Sequence, residues 1–124
     1  MRLAILSVAN KGDLKKERLI LNVRANTDIG EYILLQTVYD SGLTTHTYNT
    51  YWFPDKRVKT GDIVVVYTKD GRENEIEENG HRIHFLYWGL SMPIWSEEDR
   101  APVLLHAPEW TSKSPEELAN TGTG

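Results

Sequence analysis

Apolar and polar residues alternate with a period of two over much of this chain, a pattern typical of β-strands that bury one face. The clearest example lies around residue 20, where Leu19, Leu21 and Val23 form one wholly apolar face. Residues 32–39 are apolar at nearly every position, which is typical of a central strand covered on both sides. The same reasoning predicts further strands at residues 2–10, 44–53, 63–68, 82–88 and 103–105.

Turn-forming residues separate these segments. Gly42, Gly61 and Gly71 each stand between two of the segments, and Pro54, which has no backbone donor, ends the strand before it. No long segment has the 3.6-residue period of an amphipathic helix. Turns recur about every 8–12 residues, so we predict an all-β fold, an antiparallel β-sandwich of seven to eight short strands, with a closed barrel as the alternative.

The period-two strands also predict which residues form the core. Trp88 and Trp95 are interpreted as plugs over one end of the sandwich. Residues 72–80 are acidic and contain a single aliphatic residue, Ile76, so they are predicted to form a solvated, mobile loop. The residues predicted to be mostly buried are Leu19, Leu21, Val23, Leu34, Phe53, Val64, Val66 and Leu104.

The 124 residues suit one folded domain and a short tail. We assign residues 1–112 to the sandwich and residues 113–124 to a C-terminal tail. Ser114, Pro115 and Glu117 match a capping box with proline at the first helical position, which predicts a short helical turn there. The last residues, 121–124, are Thr-Gly-Thr-Gly and are predicted to be disordered.

Composition narrows the class of protein. The formal net charge of −4 opposes a strong non-specific grip on nucleic acid, although it allows a local basic patch. The sequence contains no cysteine, so disulfides and thiolate sites are excluded. No segment approaches the ~18 consecutive apolar residues of a membrane-spanning helix, and no signal-peptide pattern is seen, so the expected compartment is the cytoplasm.

The sequence contains no pattern typical of catalysis. It has no nucleophile elbow and no phosphate-binding glycine loop. His81 and His84 lie three residues apart on a predicted strand, so they would point to opposite faces and chelate a metal poorly. The acidic residues of segment 72–80 lack the spacing of a calcium loop. We therefore expect no metal, no cofactor and no enzymatic activity.

A basic turn is the one candidate binding site. Lys56, Arg57 and Lys59 follow the strand that ends at Pro54, and they are close in sequence to aromatic residues. Basic side chains beside aromatic rings are what the phosphates and bases of a nucleic acid require. The predicted binding residues are Tyr51, Trp52, Lys56, Arg57 and Lys59, and an ordinary solvated turn is the alternative interpretation.

The order of these segments resembles the lamin tail domain, an immunoglobulin-like β-sandwich. The resemblance rests on an alternating strand at residues 18–26, an aromatic-x-Phe-Pro motif at residues 51–54, and a turn ending at Gly61 before an apolar strand. Trp95, Asp99 and residues 103–105 match features further along that family. The resemblance covers about residues 3–110. This chain has no coiled-coil heptads, and Trp-Ser-Glu-Glu-Asp stands at 95–99 where many microbial members have a glycine-rich turn.

The resemblance implies a free-standing, microbial member of that family with an immunoglobulin-like fold. It also implies a non-catalytic recognition module that binds protein, with DNA or the cell envelope as ligands in some relatives. The alternative function is a structural or assembly component of a larger complex that associates through an open sheet edge. An enzyme is the third choice.

Overall fold

This computed structural model describes residues 1–119, apart from the side chains of residues 43–45. The disorder predicted for residues 121–124 therefore lies outside the described residues. The described part has ten strands, a 3₁₀ turn at Ile29–Glu31 and a short helix, α1 (Pro115–Ala119). The strands are β1 (Leu3–Ala9), β2 (Arg18–Val23), β3 (Thr27–Asp28), β4 (Tyr32–Tyr39), β5 (Leu43–Trp52), β6 (Arg57–Val58), β7 (Ile63–Tyr67), β8 (Asn74–Glu78), β9 (His81–Tyr87) and β10 (Arg100–His106).

The strands form a five-stranded and a three-stranded sheet. Their orders are β1-β2-β7-β9-β8 and β10-β4-β5, and a two-stranded ribbon joins β3 to β6. Every pairing is antiparallel except that of β7 with β9, which run parallel. In the sheet, β9 lies between β7 and β8. The predicted all-β class is confirmed, and the arrangement is compatible with a β-sandwich. Eight of the ten described strands have five or more residues, which agrees with the predicted seven to eight.

The core lies between the inner faces of the two large sheets. Alternate residues of β2 and β7, such as Leu21 and Val64, are fully buried there and face Tyr32 and Leu34 of β4. Trp95 is 1% exposed and confirms its predicted role as a core plug. The predicted core residues are all buried except Leu104, which is half-buried against the core.

Phe53, Pro54 and Gly61 behave as the sequence predicts, but the predicted basic turn between them contains strand β6, which pairs with β3 and buries Val58. Phe53 is 3% exposed, and β5 ends immediately before it, so Pro54 does stop the strand. Gly61 has a φ of +92°, and a Cβ there would lie 2.5 Å from the imidazole Cε1 of His81. Glycine is therefore required at position 61 by both the backbone conformation and the approach of the ring.

The prediction of a loop at residues 72–80 is wrong in one respect, because residues Asn74–Glu78 form strand β8 at the edge of the larger sheet. Asn79 and Gly80 both have positive φ, 52° and 81°, as a two-residue hairpin turn between β8 and β9 requires. The residues of β8 are all exposed, so no apolar alternation marked the strand. Its acidic side chains discourage pairing with another edge strand.

Glu17 is fully buried although it is a charged residue beside the exposed Lys15 and Lys16. Its carboxylate accepts hydrogen bonds from the backbone N–H groups of Gly12, Ile94 and Trp95 and from the hydroxyl of Thr68. These four donors compensate for the loss of water around the charge. Glu17 thus anchors the long 88–99 loop to the start of β2.

The predicted capping box is confirmed at the start of α1. The Glu117 N–H donates to Ser114 Oγ at 3.1 Å, and the Ser114 N–H donates to Glu117 Oε1 at 3.0 Å. The backbone hydrogen bond from Ser114 lowers the pKa of Glu117. Within residues 1–119, no helix is long and apolar enough to cross a membrane.

Candidate binding surfaces

An open cleft of about 500 Å³ lies between the turn that precedes β7 and the β8–β9 hairpin. We call it the β6–β9 cleft. Its walls carry both cations and carboxylates, and both histidines of β9 line it. Its charged and imidazole side chains are Lys56, Arg57, Lys59, Asp62, Glu75, Glu77, His81, Arg82 and His84.

The floor of the cleft is a buried aspartate–histidine pair. Asp62 is 4% exposed and His84 is 2% exposed, and His84 Nε2 lies 2.9 Å from Asp62 Oδ2. Asp62 also accepts backbone hydrogen bonds from Lys59 and Arg82, each 3.1 Å long. Burial alone would raise the pKa of Asp62, but these hydrogen bonds outweigh it and lower the pKa. An ionised carboxylate can only accept, so Nε2 of His84 carries the proton that faces Asp62.

Glu75 connects this pair to the cations of the cleft wall. Its Oε2 lies 3.0 Å from His84 Nδ1, but the angle is not that of a hydrogen bond, and Nδ1 has no hydrogen-bond partner. Glu75 also lies 3.3 Å from Lys56 Nζ and 2.8 Å from a guanidinium nitrogen of Arg82. The hydrogen bond from Lys56 is the main cause of the lowered pKa of Glu75, and the charges of Arg82 and His84 act in the same direction.

The three cations of the predicted binding site do meet in the β6–β9 cleft. Lys56 is engaged there, because its ammonium also lies 3.4 Å from Glu73. Arg57 and Lys59 are exposed, and neither side chain forms an ion pair with any residue of the described part. Of the predicted basic set, these two side chains are therefore open to a ligand.

Tyr51 and Trp52, the aromatic residues of the predicted binding site, do not lie together, because successive residues of a strand point to opposite faces. Tyr51 points inward and packs edge-on against Phe53, with ring centroids 5.1 Å apart. Burial, with the charge of Glu73, raises the pKa of Tyr51 to about 12. Trp52 points outward, donates to the carbonyl of Gly30 and packs against Trp110. Neither Tyr51 nor Trp52 lines the cleft.

The sequence predicts that His81 and His84 point to opposite faces of the strand, and in the structure the two side chains differ in exposure, although both line the cleft. His84 is buried and His81 is exposed. Within the described part of the chain, no three histidine, aspartate or glutamate side chains are arranged to hold a metal ion. The carboxylates nearest to His84 lie against its two different ring nitrogens, so the ring separates them.

A second surface is the face of the five-stranded sheet that points away from the core, which we call the outer sheet face. Cross-strand neighbours on this face are apolar in successive rows, of which Ile20–Val65–Phe85 and Ile63–Ile83–Ile76 are the longest. The residues that define the outer sheet face are Ile20, Ile63, Val65, Tyr67, Ile76, Ile83, Phe85 and Tyr87.

Cations lie at one end of the outer sheet face. The rings of Tyr67 and Tyr87 stack there with centroids 5.2 Å apart. Lys69 Nζ lies 5.0 Å and the Arg18 guanidinium 5.9 Å from the centroid of Tyr67. Both contacts are within the range of a cation–π interaction, so the aromatic end of the face is also positively charged.

The two outer faces of the sandwich differ in how the chain covers them. On the three-stranded sheet, the segment after β10 returns over the edge, where Trp110 packs on Trp52 and the Ala107 N–H donates to the Glu31 carbonyl. On the five-stranded sheet, the other large sheet packs against the opposite face, and α1 buries no residue. At one end of the outer sheet face, Gly71 of the loop after β7 lies against the ring of Tyr87.

Sequence reasoning located β2, β7 and β9 of this surface, but it missed β8 and the surface itself. The signal was present in β7, which is apolar at all five positions, so both of its faces are apolar. In β9, Ile83, Phe85 and Tyr87 form one face while Leu86 lies on the other. A strand that is apolar on both faces indicates a sheet that is covered on both sides.

No model of a known protein family matches this chain, and no curated protein sequence is significantly similar to it. The lamin-tail resemblance thus stays a prediction.

Proposed function

We propose that this protein is a non-catalytic recognition module that binds a protein partner through the outer sheet face. The observation that carries the proposal is the rows of apolar neighbours on β2, β7 and β9, with Ile76 of β8, on the side of the sheet opposite the core. Most of these side chains are half-buried, whereas Val65 is 6% exposed and Ile76 is 49% exposed. An ordinary two-sheet sandwich presents polar residues on its outer faces. Contiguous apolar surface of this kind marks an interaction site in soluble proteins.

The residue types suit a protein interface. Tyr67, Phe85 and Tyr87 are large, rigid side chains of the class that dominates binding hot spots. The aliphatic side chains Ile63 and Ile83 lie in the next row and complete a dry centre. Each Å² of apolar surface that a partner covers contributes roughly 25 cal/mol, before the costs of association are subtracted.

The charges at the aromatic end specify the partner's chemistry. Arg18 and Lys69 both approach Tyr67, so this end of the outer sheet face attracts negative charge. A partner with an apolar strip and aspartate or glutamate at one end of that strip is complementary to this surface. Such complementarity would accelerate encounter and fix the orientation of the partner.

The absence of catalysis is part of the proposal. The best-positioned titratable group, His84, has a carboxylate against each ring nitrogen, so neither nitrogen faces a substrate. The lamin-tail relationship and a cytoplasmic location belong to the proposal as well. The lamin-tail relationship is supported by the aromatic-x-Phe-Pro motif and its buried Phe53.

To test the proposal, peptides are selected from a random displayed library for binding to the folded chain. We expect the selected peptides to combine aliphatic or aromatic residues with aspartate or glutamate. Their binding should fall at least tenfold with Phe85→Thr, which removes an aromatic side chain from the centre of the face and puts in its place a β-branched residue that suits a strand. The matched control is Leu105→Thr, because Leu105 is 42% exposed on the other sheet. The control should bind like the wild type.

Circular dichroism establishes that each variant is folded before it is compared. If Phe85→Thr fails to fold, Ile76→Thr replaces it, since Ile76 is 49% exposed on the edge strand β8. No enrichment of peptides, or equal binding by the face variant and the wild type, would contradict the proposal. Light scattering of the chain alone separates the alternative, because an assembly component that associates through an open sheet edge would self-associate.

A further inference from the structure

We propose that the β6–β9 cleft is a second binding site, which takes the carboxylates of an extended acidic peptide segment at Arg57 and Lys59. The cleft lies between the ribbon strand β6 and the β8–β9 hairpin, and its charged residues are not those of the outer sheet face. This inference therefore does not depend on the function proposed above, and the two can be tested with different variants.

The cleft already binds carboxylates of its own chain. Lys56 contacts both Glu73 and Glu75, and Arg82 contacts Glu75. The distances between these charged groups are 2.8–3.4 Å. The wall of the cleft is thus built from cation–carboxylate pairs, and a ligand carboxylate would extend that pattern.

Arg57 and Lys59 are the cations that remain for a ligand. Both are exposed at the cleft, and neither is ion-paired in the described part of the chain. Their backbones are held in place, because Arg57 pairs with Asp28 in the β3–β6 ribbon and the Lys59 N–H donates to Asp62. A site on a fixed backbone loses less entropy on binding, since only the side chains must be ordered.

The chemistry of the two cations fits carboxylates. An arginine guanidinium pairs with a carboxylate through two parallel hydrogen bonds. Two of the carboxylates that line the cleft, Asp62 and Glu75, are already matched by His84, Lys56 and Arg82, so their charges repel a ligand less than unpaired acids would.

An acidic peptide suits the cleft better than a nucleic acid does. Glu73 and Glu77 stand near the same cations, and the protein as a whole carries a net charge of −4. Two available cations would give a salt dependence with a log–log slope of about −2 for duplex DNA, which corresponds to weak binding. A peptide can place its carboxylates at the spacing of Arg57 and Lys59 and leave neutral residues opposite the glutamates.

The experiment titrates the isotope-labelled chain with a synthetic hexapeptide in which glutamate alternates with glycine, at low salt, and follows the amide resonances. We expect shifts centred on residues 57–60 and on His81 and Arg82. The double variant Arg57→Gln/Lys59→Gln should weaken binding at least tenfold. The double variant Lys15→Gln/Lys16→Gln is the control, because it makes the same change of net charge in the exposed turn between β1 and β2.

Three results would overturn the inference. The first is the absence of amide shifts at millimolar peptide. The second is an equal loss of affinity in both double variants, which would mean that the peptide responds to overall charge alone. The third is tighter binding of a single- or double-stranded DNA oligonucleotide at the same residues, which would make the cleft a nucleic-acid site. Phe85→Thr should leave the peptide titration unchanged, so failure here is distinguishable from failure of the outer sheet face.

Discussion

At the scale of single residues, Asp62 makes the stability of the fold depend on pH. Its pKa is lowered in the folded state, so the ionised form stabilises the fold fully above the unfolded value of about 3.9. That contribution is lost as the pH falls through the folded pKa. Asp62→Asn should therefore cost about 1–3 kcal/mol at pH 7, the usual range for an impaired buried hydrogen-bonded group.

The measurement is urea unfolding of Asp62→Asn and wild type at pH 7 and at pH 2.5. The difference between the two proteins should shrink at the acidic pH, because the wild type loses the contribution of the carboxylate as the pH falls below the unfolded pKa and through the folded one. Asp40→Asn, in an exposed turn, is the control and should change little at either pH. A difference that is the same at both pH values would show that Asp62 acts through packing and not through its charge.

Replacement of Phe53 tests whether the Phe-Pro motif anchors the core. It is buried in the core and packs against Tyr51, so Phe53→Ala should cost roughly 3–5 kcal/mol in urea unfolding. Leu105→Ala, at a half-exposed position, should cost clearly less. A loss below about 1 kcal/mol for Phe53→Ala would mean that the core tolerates the cavity and that the Phe-Pro motif is not an anchor.

At the scale of elements, Glu17 controls the long loop between β9 and β10. An amide in place of the carboxylate would direct an NH₂ group at two of the four donors that now bind Glu17. Glu17→Gln should therefore cost about 1–3 kcal/mol and loosen the loop, since buried donors lose their acceptor. Hydrogen exchange at the Ile94 and Trp95 amides should become faster, while exchange in β4 changes less. Unchanged exchange at residues 94 and 95 would contradict the anchoring role.

The elements that sequence reasoning found and missed differ in one physical respect. Strands such as β2 and β7 contribute apolar faces to a core, and burial of such faces leaves a periodic pattern in the sequence. Strand β8 is exposed along its length and is defined by its hydrogen bonds to β9, so it leaves no such pattern. The burial of Glu17 depends on Ile94 and Trp95, which are 77 and 78 residues away, and no local rule contains that information.

At the scale of the whole molecule, the sequence predicted the sandwich more completely than the binding surfaces. The basic turn was found because its three cations are adjacent in the chain. The Asp62–His84 pair of the same cleft was not, because it joins β9 to a turn 22 residues earlier. The outer sheet face was missed for a related reason: the pairing of β2, β7, β9 and β8 is needed before apolar residues from four strands can be recognised as one surface.

The central claim is that a protein partner binds the outer sheet face, and NMR cross-saturation on an isoleucine-methyl-labelled sample tests it most directly. A selected peptide is irradiated, and saturation is read at each isoleucine methyl of the chain. The account predicts transfer to Ile20, Ile63, Ile76 and Ile83, which share that face, and none to Ile33, which pairs with Trp52 and Leu105 in the other sheet. Saturation of Ile33 with none at the other four would contradict the account and place the partner on the three-stranded sheet.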